Sequence, residues 1–227
     1  MEGKVLLKVN EIFETIQGEG YFSGHPSIFI RLQGCKVGCS WCDTKHTWNV
    51  KLEQQITCQE VITKSEESEQ WCNCSVSDIW DIFQTLGFKS KHVVITGGEP
   101  CDYDLIELTT FLESKDLQCQ IETSGTSLIR VSPNSWVTVS PKINMQGKLT
   151  ILDSALARAN EIKHPVGTEK DVNQLKTLLR EYNVSKNTKI YLQPISQKIR
   201  ATDLCIKACI DNNWALSVQI HKFLNIN

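Results

Sequence analysis

The chain has 227 residues, of which 41% are hydrophobic and 22% are charged, and its formal net charge at pH 7 is −2. This length suits one domain with a substantial core, so we expect a single domain over 1–227. The balanced charge argues against direct nucleic-acid binding, and no apolar run approaches the ~20 residues of a membrane span. Ten cysteines without a secretory signal indicate reduced thiols and metal ligands in a cytoplasmic protein.

Apolar, β-branched runs alternate along the chain with segments of helical periodicity. The predicted strands, in chain order, are Ile28–Leu32, His92–Thr96, Cys119–Glu122, Trp136–Ser140, Glu161–His164, Lys189–Gln193 and Ala215–Ile220. The predicted helices are Ile79 to Leu86 ended by Gly87, Leu105 to Leu112 with Asp102 or Asp104 as N-cap, Val172 to Tyr182 behind a Thr168–Asp171 capping box, and about Thr202 to Asn212.

This alternation predicts an α/β fold with a parallel sheet and helices on its outside. Six or seven strands are too few for a complete eight-stranded barrel, so we expect a partial, incomplete parallel β/α barrel. The residues of unusual chemistry fall at the predicted carboxyl ends of the strands, which is where such sheets bind ligands.

A polar segment at about 50–77 interrupts the pattern and is predicted to be an insertion. It carries the charged run Lys64–Gln70 together with Trp71, Cys72 and Cys74. We interpret it as a solvated excursion anchored by one or two aromatic side chains. The alternatives are a surface for a partner or a second metal site.

Three cysteines, Cys35, Cys39 and Cys42, follow the first predicted strand with the spacing Cys-x3-Cys-x2-Cys. Three thiolates on one loop can bind three irons of a 4Fe-4S cluster and leave the fourth iron open to a small molecule. S-adenosylmethionine offers an amine and a carboxylate for that position. The alternatives are ordinary thiols or zinc ligands, although zinc sites favour paired Cys-x2-Cys halves.

Later strand ends supply groups that could hold this cofactor. Gly97-Gly98 could let backbone amides approach a ligand, and Glu99 could accept a hydrogen bond from an ammonium group. Ser140 and Lys142 could pair with a carboxylate. The stretch Glu122–Gly125 could meet a ribose, or Glu122 could simply cap a helix.

The chain resembles the 7-carboxy-7-deazaguanine synthase family of radical S-adenosylmethionine enzymes, from end to end. The matching stretches are Thr15–Gly20, Phe29–Cys35, Trp41–Trp48, Ile95–Pro100, Gln120–Thr126, Val139–Lys142, Leu192–Gln197 and His221–Asn227. The resemblance implies ring contraction of 6-carboxy-5,6,7,8-tetrahydropterin to 7-carboxy-7-deazaguanine with loss of ammonia, in queuosine and 7-deazapurine biosynthesis. It also implies a 5′-deoxyadenosyl radical, Mg²⁺, a homodimer, and a flavodoxin-like or other reductant.

The resemblance also implies site residues, with no catalytic side chain beyond those that carry cofactors. For S-adenosylmethionine and its cluster these are Trp41, Cys42, Asp43, Gly98, Glu99, Ser124, Ser140, Pro141, Lys142 and Gln193, with Thr44 as the Mg²⁺ ligand. For the pterin they are Ile16, Gln17, Gly18, Glu19, Arg31, Thr96, His221 and the carboxyl-terminal Asn227. The apolar side chains of Phe223, Leu224 and Ile226 are expected to anchor that terminus, or alternatively to close the floor of the barrel.

Arg31 also points to an anion independently, because it interrupts an apolar strand and a buried guanidinium needs a partner. That partner is either the pterin carboxylate or one of Glu19 and Asp43. Two other functions remain open at this point. One is a different short radical enzyme such as a glycyl-radical activase, and the other is a non-catalytic iron–sulfur interaction protein.

Overall fold

The structure is a computed structural model that describes residues 6–224 and 226, with Gln197 described by its backbone alone. In this part of the chain the strands are β1 (Leu7–Ile16), β2 (Pro26–Leu32), β3 (Cys72–Cys74), β4 (His92–Gly97), β5 (Gln118–Thr123), β6 (Trp136–Val139), β7 (Glu161–Val166), β8 (Lys189–Pro194) and β9 (Ala215–Leu216). They form one sheet in the order β3-β1-β2-β4-β5-β6-β7-β8-β9.

The sheet is parallel from β2 through β9, and β1 joins it antiparallel to both β2 and β3. Its two edge strands, β3 and β9, do not pair with each other, so the barrel is open. The central strands are buried on both faces, as Val93, Val94 and Ile95 show with no exposed surface. The predicted partial parallel β/α barrel is therefore confirmed.

Helices connect the parallel strands. Within the described residues they are α1 (Cys58–Ile62), α2 (Val76–Leu86), α3 (Ile106–Glu113), α4 (Asp153–Arg158), α5 (Glu169–Glu181), α6 (Ile199–Asn212) and α7 (Ile220–Leu224). The capping box between Thr168 and Asp171 is present, and Gly87 ends α2 in the left-handed region at φ 66°. Asp104, not Asp102, accepts a hydrogen bond from the first backbone N–H group of α3: Ile106 N donates to Asp104 Oδ1 at 3.1 Å.

Segment 50–77 is more ordered than a solvated excursion. It contains α1 and β3, and Trp71 is 1% exposed, with its indole N–H donating to the Lys51 carbonyl at 3.1 Å. The predicted aromatic anchor is present. The sequence pattern did not predict β3, because a strand of three residues carries too few positions to show alternation.

Two further differences concern the ends of the chain. Strand β1 was not predicted, although its buried Leu7, Val9 and Ile12 face the core. The predicted strand Ala215–Ile220 is wrong beyond Leu216, because Ser217 turns inward and donates from Oγ to Gln193 Oε1 at 3.1 Å. The backbone then enters α7.

Among the described residues, the helices are all too short or too polar to cross a membrane.

Candidate active site

A cavity of about 690 Å³ opens where the carboxyl ends of the parallel strands meet the loop that carries the three cysteines. The sequence-predicted residues that line it are Ile16, Gln17, Gly18, Glu19, Arg31, Cys35, Cys39, Trp41, Cys42, Asp43, Thr44, Thr96, Gly98, Glu99, Ser124, Ser140, Lys142, Gln193 and His221. Pro141 is buried and does not line the cavity, and Asn227 lies outside the described residues.

The cysteine loop is closed by short-range hydrogen bonds. Cys35 N donates to the Trp48 carbonyl at 3.0 Å, and Cys42 N donates to the Cys39 carbonyl at 3.1 Å. The Trp48 indole N–H donates to Cys42 Sγ at 3.4 Å. This hydrogen bond fixes the position of the Cys42 sulfur beside the Trp48 ring.

At least one pair of the motif sulfur atoms lies more than 4.8 Å apart, which is wider than the spacing around a single zinc ion. Among the described residues, one group of three potential metal ligands has all its ligand atoms within 4.8 Å of one another. That group is Cys58, Cys72 and Cys74, and it includes none of the motif cysteines. One zinc ion would hold its sulfur ligands about 4 Å apart, at ~2.3 Å from the metal. Thiolates that each bind a different iron stand farther apart.

Two of the motif thiols, those of Cys35 and Cys39, are less acidic than an ordinary cysteine. Burial raises the pKa of Cys35 to about 11. Burial raises the pKa of Cys39 as well, and the nearby Lys142 ammonium acts in the opposite direction. These thiols are therefore protonated when no metal is bound, and metal binding must release the protons.

Gly97 and Gly98 bring the end of β4 against the cysteine loop. A Cβ at Gly98 would lie 2.0 Å from the Gly34 carbonyl oxygen, and one at Gly97 would lie 2.3 Å from Leu32 N. Glycine is therefore needed at both positions to let the two backbone segments approach each other within the protein. The predicted approach of these glycines to a ligand stays a prediction.

Glu99 lies in the cavity wall with its carboxylate fully occupied. One oxygen accepts from Cys101 N at 3.0 Å and from Thr123 Oγ1 at 2.6 Å. The other accepts from Ser124 N at 2.8 Å and from the Ser124 hydroxyl. Four donors fill the four acceptor positions of a carboxylate, so Glu99 here joins the ends of β4 and β5.

A buried lysine that sequence reasoning missed, Lys163, also lines the cavity. Lys163 Nζ is 2.7 Å from Glu19 Oε2 and 2.9 Å from Glu122 Oε2. Burial alone would raise the pKa of Glu19, but Lys163 and a hydrogen bond from Gln219 lower it to about 2. Burial, together with the neighbouring carboxylates Glu161 and Glu19, raises the pKa of Glu122 to about 7 against the pull of Lys163.

The ion-pair partner of Arg31 within the protein is Glu11, and not Glu19 or Asp43 as the sequence suggested. Arg31 Nε lies 3.1 Å from Glu11 Oε2, and its guanidinium lies 5.4 Å from the Phe13 ring centroid. Glu19 is paired with Lys163 instead, and Asp43 lies 4.0 Å from Lys222 Nζ. Both Arg31 and Glu11 line the cavity, so the guanidinium remains within reach of an anionic ligand.

Thr44, Ser140 and Lys142 each have a hydrogen-bond partner within the site. Thr44 Oγ1 lies 3.6 Å from Cys42 Sγ and donates to the Gly97 carbonyl at 3.4 Å. Lys142 Nζ donates to Ser140 Oγ at 2.7 Å. The sequence thus predicted side chains of the right chemistry at one edge of the sheet.

The C-terminal segment closes the cavity against the loop after β1. Ile220 N donates to the Gly18 carbonyl at 3.0 Å, and a Cβ at Gly18 would lie 2.2 Å from His221 Nδ1. Burial lowers the pKa of His221, so its ring is neutral near pH 7. Phe223 and Leu224 are 69% and 60% exposed, so the expectation that they anchor the segment is wrong.

An open parallel barrel with a Cys-x3-Cys-x2-Cys loop at the carboxyl ends of its strands defines the radical S-adenosylmethionine class of enzymes. Comparison with known proteins narrows the class. The chain is 54% identical over 218 residues to 7-carboxy-7-deazaguanine synthase of Escherichia coli strain K12, covering 96% of this chain and 98% of that protein. It is 51% identical over 218 residues, with the same coverage, to the enzyme of that name from Buchnera aphidicola.

The fold comparison agrees with the sequence comparison. The crystal structure of QueE from Escherichia coli matches with a TM-score of 0.92 and 53% identity over 94% of each chain. No model of a known protein family matches the chain. The chain belongs to the 7-carboxy-7-deazaguanine synthase family.

Proposed function

We propose that this chain converts 6-carboxy-5,6,7,8-tetrahydropterin to 7-carboxy-7-deazaguanine with loss of ammonia. The observation that carries the proposal is the placement of Cys35, Cys39 and Cys42 on one wall of a cavity of about 690 Å³. A cavity of this volume admits a cofactor and a small substrate together. The cluster and S-adenosylmethionine supply the hydrogen-abstracting radical chemistry when bound, and the protein orients them and excludes water.

The cofactor wall is built from the cysteine loop and the ends of β4 to β6. The three cysteines would hold the cluster, since they are the thiol donors that line the cavity. Lys142 and Ser140 would receive the carboxylate of S-adenosylmethionine, a cation and a hydroxyl already 2.7 Å apart. Trp41 is 37% exposed at the rim of this wall.

The groups that would bind the substrate line the same cavity and carry both charges. Arg31 would bind the pterin carboxylate in a bidentate pair, with Glu11 holding the guanidinium in place. Glu19, Glu122 and the neutral His221 would accept from or donate to the edge of the pterin ring. A role for Asn227 in the same contact stays a proposal from the family resemblance.

Mg²⁺ belongs to the proposal as a bridge between substrate and protein. Thr44 supports this role, because its hydroxyl lines the cavity beside Cys42. A hydroxyl oxygen with substrate carboxylate and water is an acceptable ligand set for this hard cation. A homodimer and a flavodoxin-like or other low-potential reductant complete the proposal.

The test is product analysis after anaerobic reconstitution with iron and sulfide. The reduced protein, given S-adenosylmethionine, Mg²⁺ and 6-carboxy-5,6,7,8-tetrahydropterin, is expected to form 7-carboxy-7-deazaguanine and ammonia. Cys42→Ala should abolish both cluster and product, whereas Cys209→Ala, on α6, should keep them.

Two results would contradict the proposal. Formation of 5′-deoxyadenosine without any deazaguanine product would indicate a radical enzyme with another substrate, such as an activase. A fully loaded cluster that never cleaves S-adenosylmethionine would indicate a non-catalytic iron–sulfur protein.

A further inference from the structure

Three cysteine sulfur atoms outside the cavity lie against one another in segment 50–77. Cys58 Sγ is 2.9 Å from Cys74 Sγ, and Cys72 Sγ is 3.2 Å from Cys74 Sγ. Cys72 and Cys74 are 1% and 0% exposed, and Cys58 is partly exposed. Unbonded sulfur atoms do not normally approach this closely, so this contact is more than apolar packing.

Local structure on both sides holds the three thiols in place. Strand β3 pairs antiparallel with β1, with Cys72 opposite Val9 and Cys74 opposite Leu7, and the two-residue period of a strand points both thiols to the core. Helix α1 begins at Cys58 behind the Thr57–Glu60 capping box. Ile56 N donates to the Trp71 carbonyl at 2.9 Å, which fixes the start of α1 beside β3.

Other buried cysteines of the chain do not cluster in this way. Cys119 Sγ donates to the Thr109 carbonyl at 3.9 Å, and Cys209 Sγ donates to the Ala215 carbonyl at 3.2 Å. Each of these thiols thus satisfies its weak donor on the backbone, as an isolated buried cysteine does. A cysteine-rich core alone therefore does not bring three sulfur atoms together.

We propose that Cys58, Cys72 and Cys74 bind one zinc ion that fastens segment 50–77 to the sheet. Zinc prefers thiolate sulfur at ~2.3 Å, which needs the sulfur atoms about 3.8 Å apart in tetrahedral geometry. The Cys58–Cys74 contact of 2.9 Å can lengthen by outward movement of the short surface helix that begins at Cys58, and the Cys72–Cys74 contact of 3.2 Å by a small rotation of either side chain. Water takes the fourth position, from the side on which Cys58 is exposed.

The charge around the cluster favours a divalent ion. Three thiolates and Zn²⁺ carry a net charge of −1, and the Lys64 ammonium lies beside the start of β3, where it donates to the Gln70 carbonyl at 3.2 Å. A monovalent soft ion such as Cu(I) would leave −2 close to the Asp78 carboxylate in the first turn of α2, which follows β3. A 4Fe-4S cluster needs more widely spaced sulfur atoms than these.

The experiment measures zinc and iron together in the full-length, reconstituted protein. We expect about one zinc beside about four irons per chain. Replacing Cys58 and Cys74 with Ser should remove the zinc and leave the iron. Replacing Cys35, Cys39 and Cys42 with Ala should remove the iron and leave the zinc. Replacing Cys205 and Cys209 with Ser is the matched control and should change neither.

A second readout does not depend on the serine variants folding. In the protein that lacks the three cluster cysteines, one equivalent of Co²⁺ should give thiolate-to-cobalt charge-transfer and tetrahedral d–d absorption, and Zn²⁺ should displace both. The proposal would be overturned if the reconstituted protein contained its full iron but no zinc, and if Co²⁺ gave none of these absorption bands. A disulfide between Cys58 and Cys74 in protein purified without oxygen would overturn it as well.

Discussion

At the residue scale, the main finding in the candidate site is one lysine shared by two carboxylates. Lys163 Nζ lies within 3 Å of both Glu19 and Glu122. The pKa of Glu19 is lowered, whereas the pKa of Glu122 is nevertheless raised. Glu19 receives further hydrogen bonds from Gln193 at 3.1 Å and Gln219 at 2.7 Å, which favour its charged form. Glu122 accepts one amide hydrogen bond, from Gln120 Nε2 at 3.0 Å, but burial and the nearby carboxylates Glu161 and Glu19 raise its pKa to about 7.

Stability should therefore depend on pH through Glu122. Its pKa is about 7 in the folded protein against an ordinary value of 4.5, so this contribution to folding is complete below pH 4.5 and is lost as pH rises through 7. Glu122→Gln cannot ionise. We expect the free energy of unfolding of this variant, relative to the parent, to rise by about 2 kcal/mol from pH 5.5 to 8.5.

Urea denaturation at both pH values measures this change. Glu14→Gln is the control, because hydrogen bonds from Ser90 and Lys89 overcome burial and lower the pKa of Glu14 below its usual 4.5. Glu14 is thus ionised throughout this pH window. Parallel pH curves for the parent and Glu122→Gln would rule out a near-neutral pKa at Glu122.

At the element scale, the cysteine loop depends on the backbone at the end of β4. Gly98 N donates to the Leu32 carbonyl at 2.8 Å, and Glu99 N donates to the Gly34 carbonyl at 2.8 Å. The start of the loop that holds the cluster ligands is thus bonded to the next parallel strand. The geometry of the metal site is therefore set partly by residues that offer no metal ligand.

Gly98→Ala should disturb this contact by sterics alone, because Gly98 does not have a positive φ. Its Cβ would lie 2.0 Å from the Gly34 carbonyl oxygen, which is backbone and cannot rotate away. We expect a loss of about 3 kcal/mol in the free energy of unfolding and a reduced iron content after reconstitution. Calorimetry and iron analysis measure the two effects.

Gly167→Ala is the matched control. A Cβ there would meet Ile195 Cδ1 at 3.5 Å, an ordinary contact, and its φ is not in the left-handed region either. The control should bind iron as the parent does. Equal iron content in both variants would show that the cysteine loop does not depend on this close approach.

Features set by residues close together in the sequence could be predicted, whereas contacts between distant residues could not. The Cys35 loop, the Thr168 capping box and the Gly87 helix end are local patterns, and the structure contains all three. The partner of Arg31 is set by register across β1 and β2, where Glu11 lies opposite Arg31. No local pattern shows that register, so the sequence suggested partners of the right charge at the wrong positions.

At the scale of the whole molecule, the two ends of the chain build one wall of the cavity. Gly20 N donates to Ser217 Oγ at 3.0 Å, across 197 positions. Gln219 Nε2 donates to Glu19 Oε1 at 2.7 Å, across 200 positions. This contact lies at the open side of the barrel, where α7 follows the edge strand β9.

A double-mutant cycle tests this junction. Gly18→Ala places a methyl group 2.2 Å from the present position of His221 Nδ1, so the ring must move. We expect Gly18→Ala to lower the free energy of unfolding in the parent and to cost much less in a His221→Ala background, with a coupling energy of about 1–2 kcal/mol. Chemical denaturation of the four proteins gives the coupling. Equal costs in both backgrounds would show that the ring and the loop do not touch in solution.

The junction between the ends also fixes when the cavity can form during synthesis. Glu19 is synthesised 200 positions before Gln219, so it has no access to this hydrogen-bond partner until the intervening chain has been made. Closing a loop of about 200 residues is a slow, entropically costly step, and contacts of this range form late in folding. The part of the cavity wall that contains both side chains is therefore completed only after Gln219 has been synthesised.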